Sequence, residues 1–173
     1  MRRLVATLLA AALLILMAVP AAAAGKPTKT NNEPLPPELY AAGDVCDFDL
    51  MIEYIIDTGH VIEFPADDGG TIRQNLAGHL VSTVTNLEND RSVTYNISGP
   101  GKFFITGDTL LITGGGPWLL YAFPGDDGGP GMWYAKGKVS ILVDLTNGQW
   151  LNLEKPRNNI DVCAVLGGAA AAG

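Results

Sequence analysis

The sequence contains little histidine and cysteine, with two residues of each among 173. His60 and His79 are therefore the only candidates for a histidine base. The sequence contains no C-x-x-C motif, which would indicate a zinc or redox centre. No serine lies in a G-x-S-x-G elbow, and neither glycine-rich segment, 114–116 or 125–131, has the G-x-x-x-x-G-K-[ST] pattern of a phosphate-binding loop. We therefore expect no catalytic residue, no metal and no cofactor.

Positive charge is also scarce: the chain has eleven lysines and arginines, compared with eighteen aspartates and glutamates. Arg2 and Arg3 are the only charged residues of segment 1–24, so residues 25–173 carry a formal net charge of −9. An acidic surface repels phosphate backbones, and we expect no nucleic-acid partner.

Long apolar runs are confined to the N-terminus. Arg2 and Arg3 precede residues 4–19, which are apolar apart from one threonine, and Pro20 then breaks the run. Small residues up to Ala24 complete the pattern of a signal peptide, which predicts export from a bacterial cell and cleavage near Ala24. An uncleaved signal anchor is the alternative, because the run is long enough to cross a bilayer. No second run of about 20 apolar residues follows, so no stable membrane span is expected after cleavage.

The two cysteines, Cys46 and Cys163, lie at the two ends of the patterned part of the chain. In an oxidising compartment an even pair predicts a disulfide, with two free buried thiols or a metal-binding pair as alternatives. Closing a loop of more than about 100 residues stabilises a fold by roughly 4–5 kcal/mol in the chain-entropy model.

The composition divides the chain into four segments, beginning with the signal peptide at 1–24. Residues 25–43 are rich in proline and have little to bury, which predicts an extended linker. Residues 44–166 alternate between apolar and polar residues and are predicted to form a β domain. Residues 167–173 contain only glycine and alanine and are predicted to be a flexible tail.

Short strand-like runs separated by turn residues follow one another from Cys46 to a last run at 160–166. The long run at 132–145 is expected to bend at Gly137, and Asn147-Gly148 predicts a tight hairpin. The spacing predicts an all-β fold, an antiparallel meander of about nine to eleven short strands. We expect a closed or nearly closed barrel, because closure removes exposed edges and a disulfide would pin its seam. A β-sandwich is the alternative.

Four short motifs carry a resemblance: Asp44-Val45-Cys46-Asp47-Phe48, Asn96-Ile97-Ser98-Gly99-Pro100, Gly128-Gly129-Pro130-Gly131 and Asp161-Val162-Cys163-Ala164. Together they resemble a group of uncharacterised secreted actinobacterial proteins over about residues 44–166. The resemblance implies a fold and no activity, so it assigns no catalytic residue. In outline the predicted domain is also similar to small barrels of the lipocalin, avidin and allene-oxide-cyclase types.

One loop motif occurs twice, as Phe64-Pro65-Ala66-Asp67-Asp68-Gly69-Gly70 and as Phe123-Pro124-Gly125-Asp126-Asp127-Gly128-Gly129. Paired carboxylates on a tight loop are hard oxygen ligands that suit calcium. Asp-Gly is also a common hairpin tip, and neither copy has the D-x-[DN]-x-[DN]-G-x5-E pattern. We therefore favour hairpin tips over calcium sites.

A row of carboxylates projects from one side of the first predicted strand: Asp47, Asp49, Glu53 and Asp57. Two of them at about 5–10 Å would suit glycoside hydrolysis, but neighbouring positions on any strand give such spacing. A solvated strand face is the favoured interpretation.

Five aromatic residues, Trp118, Tyr121, Trp133, Tyr134 and Trp150, are candidates for a ligand platform or for core packing. Alternation places Trp133 and Tyr134 on opposite faces. The leading functional hypothesis is a secreted binding or interaction protein without catalysis, with a small apolar or sugar ligand or an envelope protein as partner. An extracellular carboxylate-dependent enzyme of glycoside type and a cell-envelope structural protein are the alternatives.

Overall fold

A computed structural model describes residues 25–168, which form fourteen strands and one short helix. The strands are β1 Thr28–Asn31, β2 Glu38–Tyr40, β3 Leu50–Asp57, β4 His60–Phe64, β5 Ile72–Ala77, β6 Leu80–Asn86, β7 Ser92–Asn96, β8 Gly101–Thr106, β9 Thr109–Gly114, β10 Pro117–Ala122, β11 Gly131–Lys136, β12 Val139–Asp144, β13 Trp150–Glu154 and β14 Ile160–Asp161. The helix α1 is Val162–Gly167. Residues 1–24, where the signal peptide is predicted, and residues 169–173 of the predicted tail lie outside the described range.

All strand pairings are antiparallel, which confirms the predicted all-β class. The strands form a seven-stranded sheet in the order β1-β4-β5-β8-β9-β12-β13, a four-stranded sheet β2-β3-β6-β7 and a three-stranded sheet β10-β11-β14. None of these sheets closes on itself within residues 25–168, and a sandwich-like arrangement fits them as well as a barrel does.

Long bent strands join the seven-stranded sheet to the two smaller ones. β3 continues into β4, β5 into β6, β7 into β8, β9 into β10 and β11 into β12, and each pair is interrupted by only two to four residues. Pairing continues on both sides of every interruption, as in Leu80 with Asp57 and Ala77 with His60. We call this line of bends the crease; its residues are 58–59, 78–79, 97–100, 115–116 and 137–138.

Glycine makes the crease possible where backbones approach closely or φ is positive. A Cβ on Gly78 would lie 2.4 Å from the Cα of Gly59, and Gly78 has φ +154°. Gly137 has φ +135°, a conformation that other residues rarely adopt. The predicted bend of run 132–145 at Gly137 is therefore confirmed, with β11 and β12 on its two sides.

Two apolar cores fill the space between the sheets. Side chains from the four-stranded and three-stranded sheets meet in the first core, with Leu50, Ile52, Val84 and Met132 fully buried. The other face of the three-stranded sheet packs on the seven-stranded sheet in the second core, which consists of Leu120, Ala135, Val139, Ile141 and Val143. The three-stranded sheet is therefore covered on both faces.

The last predicted strand, 160–166, is wrong beyond Asp161, because the chain turns into helix α1 there. The Asp161 carboxylate accepts a hydrogen bond from the Ala164 N–H at 2.9 Å, and Gly168 ends the helix with φ +88°. Val162 and Leu166 then bury one helix face in the first core. The predicted Cys46–Cys163 disulfide is present and ties α1 to the loop before β3.

The segment 25–43, predicted as an extended linker, contains β1 and β2. β1 lies at an edge of the seven-stranded sheet with all four side chains exposed, and β2 lies at an edge of the four-stranded sheet. Backbone pairing holds this segment in place with little apolar burial, which is why composition does not reveal these strands. Residues 32–37 cross from one sheet to the other, and we call them the strap.

Candidate ligand-binding cleft

The register of the seven-stranded sheet places four side chains side by side. Ile62 pairs with Asn75, Asn75 with Lys102, and Lys102 with Thr113. Directly paired residues of antiparallel strands lie on the same face. Ile112, next to Thr113 on β9, packs against the second core, as do alternate residues of β12. The row of four side chains therefore lies on the opposite face of the sheet, which we call the outer face.

A cleft of about 510 Å³ lies on the outer face where these strands meet the crease. The row of four residues lines it, and the other lining residues are His60, Leu76, Ala77, Pro100, Gly101, Gly114, Gly115 and Lys138. Its size falls within the range of small-molecule sites.

Trp118 packs directly behind the glycines of this cleft, on the inner side of the sheet. Gly101 and Gly114 pair with one another, and a Cβ on them would lie 2.9 Å and 2.3 Å from the indole ring. The indole ring therefore contacts the backbone of Gly101 and Gly114 directly, which is possible only because glycine has no Cβ. Its Nε1 is buried and has no hydrogen-bond partner within residues 25–168.

Every ionisable group that lines the cleft is basic. Lys102 and Lys138 are exposed at its rim, and His60 is half-buried. Asn75 lies in the wall, and its side-chain oxygen is buried without a partner among the described residues. The cleft thus combines apolar walls, basic side chains and an unpaired amide oxygen.

Smaller cavities lie beneath the strap, on the inner side. Two adjoining cavities of about 160 Å³ and 110 Å³ share Leu35 of the strap with Leu76, Leu80, Ile97 and Gly99. Leu35 is 44% exposed and covers both of them.

A tyrosine cluster borders the larger of these cavities. The Glu38 carboxylate accepts hydrogen bonds from the Tyr40 hydroxyl at 2.5 Å and from the Tyr54 hydroxyl at 3.1 Å. Burial of the hydroxyl groups, assisted by the neighbouring carboxylate, raises the pKa of Tyr40 and of Tyr54 far above the ordinary value. Burial also raises the pKa of Tyr121 beside them. The hydroxyls therefore stay protonated and act as donors.

The repeated Asp-Asp loops use their carboxylates to hold backbone. Asp67 Oδ1 accepts from the N–H groups of Gly69 and Thr71. Asp126 accepts from Trp150 N–H at 2.8 Å and from Phe123 N–H at 2.7 Å, so the second copy fastens to the edge strand β13. In the part of the chain that the structure describes, no three His, Cys, Asp or Glu side chains form a metal-binding group.

Two carboxylates of the first predicted strand, Asp49 and Asp57, each accept hydrogen bonds from backbone N–H groups in separate places. Asp49 accepts from Ala42 N–H at 2.8 Å, whereas Asp57 accepts from the N–H groups of Gly59 and Leu35. These contacts anchor loops and the strap. Among residues 25–168, neither the cleft nor the two cavities beneath the strap is lined by two carboxylates.

The candidate aromatic residues are divided between several locations. Tyr134 is buried in the first core, whereas Trp133 packs on the second, so the predicted opposite orientation is confirmed. Trp150 joins the second core, and Tyr121 and Trp118 line the cavity under the strap. They do not form one platform.

Of the two histidines, His60 lines the cleft and His79 is exposed. Sequence reasoning missed Lys102 and Lys138, the cationic groups of the cleft. The only local signal is that each lysine follows a glycine, Gly101 directly after the crease and Gly137 within it.

No helix within residues 25–168 is long and apolar enough to cross a membrane. No family model, no curated protein and no solved structure matches this chain. The resemblance to secreted actinobacterial proteins and to lipocalin-type barrels therefore remains a prediction, and the assignment of function depends on the geometry of the cleft.

Proposed function

We propose that this protein is a non-enzymatic binding protein for a small molecule with a largely apolar body. The cleft of about 510 Å³ on the outer face carries the proposal. It has the size of small-molecule sites, apolar walls and a few polar groups at fixed positions, which is the usual composition of such sites. An incompletely closed, barrel-like wrapping of the bent strands would keep these walls rigid.

The proposal places the protein outside the cytoplasmic membrane. The predicted signal peptide supports export, and the Cys46–Cys163 disulfide fits an oxidising compartment. A rigid scaffold that is fastened by a covalent bond suits a binding protein that acts outside the cell.

Binding is favoured over catalysis because the cleft contains no carboxylate and the first-strand carboxylates anchor backbone instead. A glycoside-type mechanism needs two carboxyl groups that converge on one substrate. A purely structural role gives no reason for an open cleft with an unpaired amide in its wall.

The test is a thermal-shift and calorimetric panel of eight-carbon alcohols and acids, together with short oligosaccharides. A ligand at about 100 times its dissociation constant stabilises the fold by about 2.7 kcal/mol, which corresponds to a shift of several degrees. Thr113→Phe, which points a ring into the cleft, should abolish the shift. Thr109→Phe is the matched control, because Thr109 lies on the same face of β9 at the distant end.

A ligand whose shift survives Thr113→Phe binds elsewhere and would overturn the assignment of the cleft. A panel without any shift, with both variants folded, would contradict binding of this ligand class.

A further inference from the structure

The charges on the outer face are segregated. On β1, β4, β5, β8 and β9, pairing places four ionisable residues outward, and all of them are basic: Lys29, His60, Arg73 and Lys102. No outward-facing residue of these five strands is acidic. The first carboxylates on the same face are Asp144 on β12 and Glu154 on β13.

Composition alone would not give a basic face, since acidic residues outnumber basic ones two to one in residues 25–173. Lys138 adds a further positive charge from the crease. The ionisable side chains that line the cleft are therefore all basic, whereas the protein as a whole is negative. Such a local cluster of basic groups attracts an anion and repels a cation of the same shape.

An apolar row lies beside the basic groups. Phe64, Arg73, Phe104, Leu111 and Leu142 are paired in succession across five strands. Two residues along each strand, about 6.5–7 Å, separate Phe104 from Lys102 and Leu111 from Thr113. The Arg73 guanidinium stacks on the Phe64 ring at 3.9 Å, which extends the flat surface.

We propose that the occupant of the cleft is an anionic amphiphile, an inference that rests on the proposed function. Its carboxylate or phosphate binds at Lys102 and Lys138, and its apolar chain lies against the apolar wall of the cleft at Ile62, Ala77 and Pro100, with the apolar row of Phe104 and Leu111 adjoining. A single soluble molecule fits better than a membrane surface, because Phe64 and Phe104 are half-buried and do not protrude as anchors that insert into lipid do.

The experiment compares three ligands that share one eight-carbon chain: octanoate, 1-octanol and octylammonium. Calorimetry uses the purified protein in the N-terminal form that the expressing cell yields, at low and at high salt. Octanoate should bind more tightly than octanol, octylammonium should not bind, and salt should weaken octanoate alone.

Lysine variants then locate the anionic group. Lys102→Gln and Lys138→Gln should each weaken octanoate about twofold to fivefold, because exposed ion pairs contribute modestly, and leave octanol unchanged. Arg157→Gln removes the same charge from an exposed site outside the cleft and is the control. Both lysines are exposed, so unchanged thermal unfolding should accompany each substitution.

Equal binding of octanol and octanoate, unaffected by either lysine substitution, would overturn the anionic inference and leave the proposed function standing. Failure of all three ligands to bind would overturn both. Sedimentation with phosphatidylglycerol vesicles in the absence of octanoate binding would also overturn the inference, in favour of a membrane surface.

Discussion

Replacing Gly114 by alanine should destabilise the protein through the ring of Trp118 alone. Gly114 has no positive φ, so the alanine backbone is unstrained. Its Cβ, however, would lie 2.3 Å from Cζ2 and 2.6 Å from Cε2 of Trp118. The ring has little freedom to move, because a Cβ on Gly99 would already lie 2.6 Å from its Nε1 and Gly101 lies against its far edge.

The magnitude follows from overpacking, which costs about 1–3 kcal/mol in a filled site. With a rigid ring on one side and paired strands on the other, we expect about 3 kcal/mol, or a fall of roughly 6–12 °C in Tm. In a Trp118→Leu background the clashing ring atoms are absent. Gly114→Ala should then be neutral or stabilise by about 0.5–1 kcal/mol, since alanine loses less backbone entropy on folding than glycine.

Urea unfolding followed by circular dichroism, on both single variants and the double variant, gives the coupling energy, which we expect to be about 2–4 kcal/mol. Gly115→Ala is the control, because no atom lies within 4 Å of a Cβ at that exposed position. If Gly114→Ala costs no more than Gly115→Ala, or if its cost persists in the Trp118→Leu background, the contact between Gly114 and Trp118 does not determine that cost.

Three further outcomes are expected. Joint replacement of Cys46 and Cys163 by serine should lower the free energy of unfolding by about 5 kcal/mol, since the cysteines are 117 residues apart; a loss near zero in urea titrations would contradict the chain-entropy argument. Burial raises the pKa of Tyr54, so its contribution to stability is present below about pH 10, where the unfolded chain begins to ionise, and is lost as the pH rises further. Tyr54→Phe should therefore reduce the alkaline loss of stability, as urea midpoints near pH 8 and pH 11 will show. Asp126→Ala should cost about 1–2 kcal/mol while Asp68→Ala stays within about 0.5 kcal/mol, and calcium should alter neither melting temperature.

The sequence predicts the features that depend on neighbouring residues. Alternation marks Leu50 and Ile52 as inward residues of β3, and both are fully buried. Asn147-Gly148 lies in the hairpin between β12 and β13, with Gly148 at φ +77°, but the connection spans residues 145–149, so the predicted two-residue turn is wrong. These features depend on local backbone preference and side-chain period, which a single chain segment carries by itself.

The division into three sheets depends on contacts between distant segments, which no local pattern encodes. β5 pairs with β8 because the intervening hairpin of β6 and β7 passes through the crease into another sheet. The cleft arises in the same way: His60, Lys102 and Lys138 are far apart in sequence and meet only through register. Helix α1 was missed for a different reason, since its Asp161 cap is visible in the sequence but six residues are too few for a periodic pattern.

The bond between Cys46 and Cys163 encloses every strand from β3 to β14. A protease that cuts any one loop in this span therefore produces two polypeptides that stay covalently joined. A single cut releases a segment only where it falls outside this span, before Cys46 or after Cys163. A nicked molecule keeps its two parts at high local concentration, which favours their reassociation, and a reductant is needed to separate them.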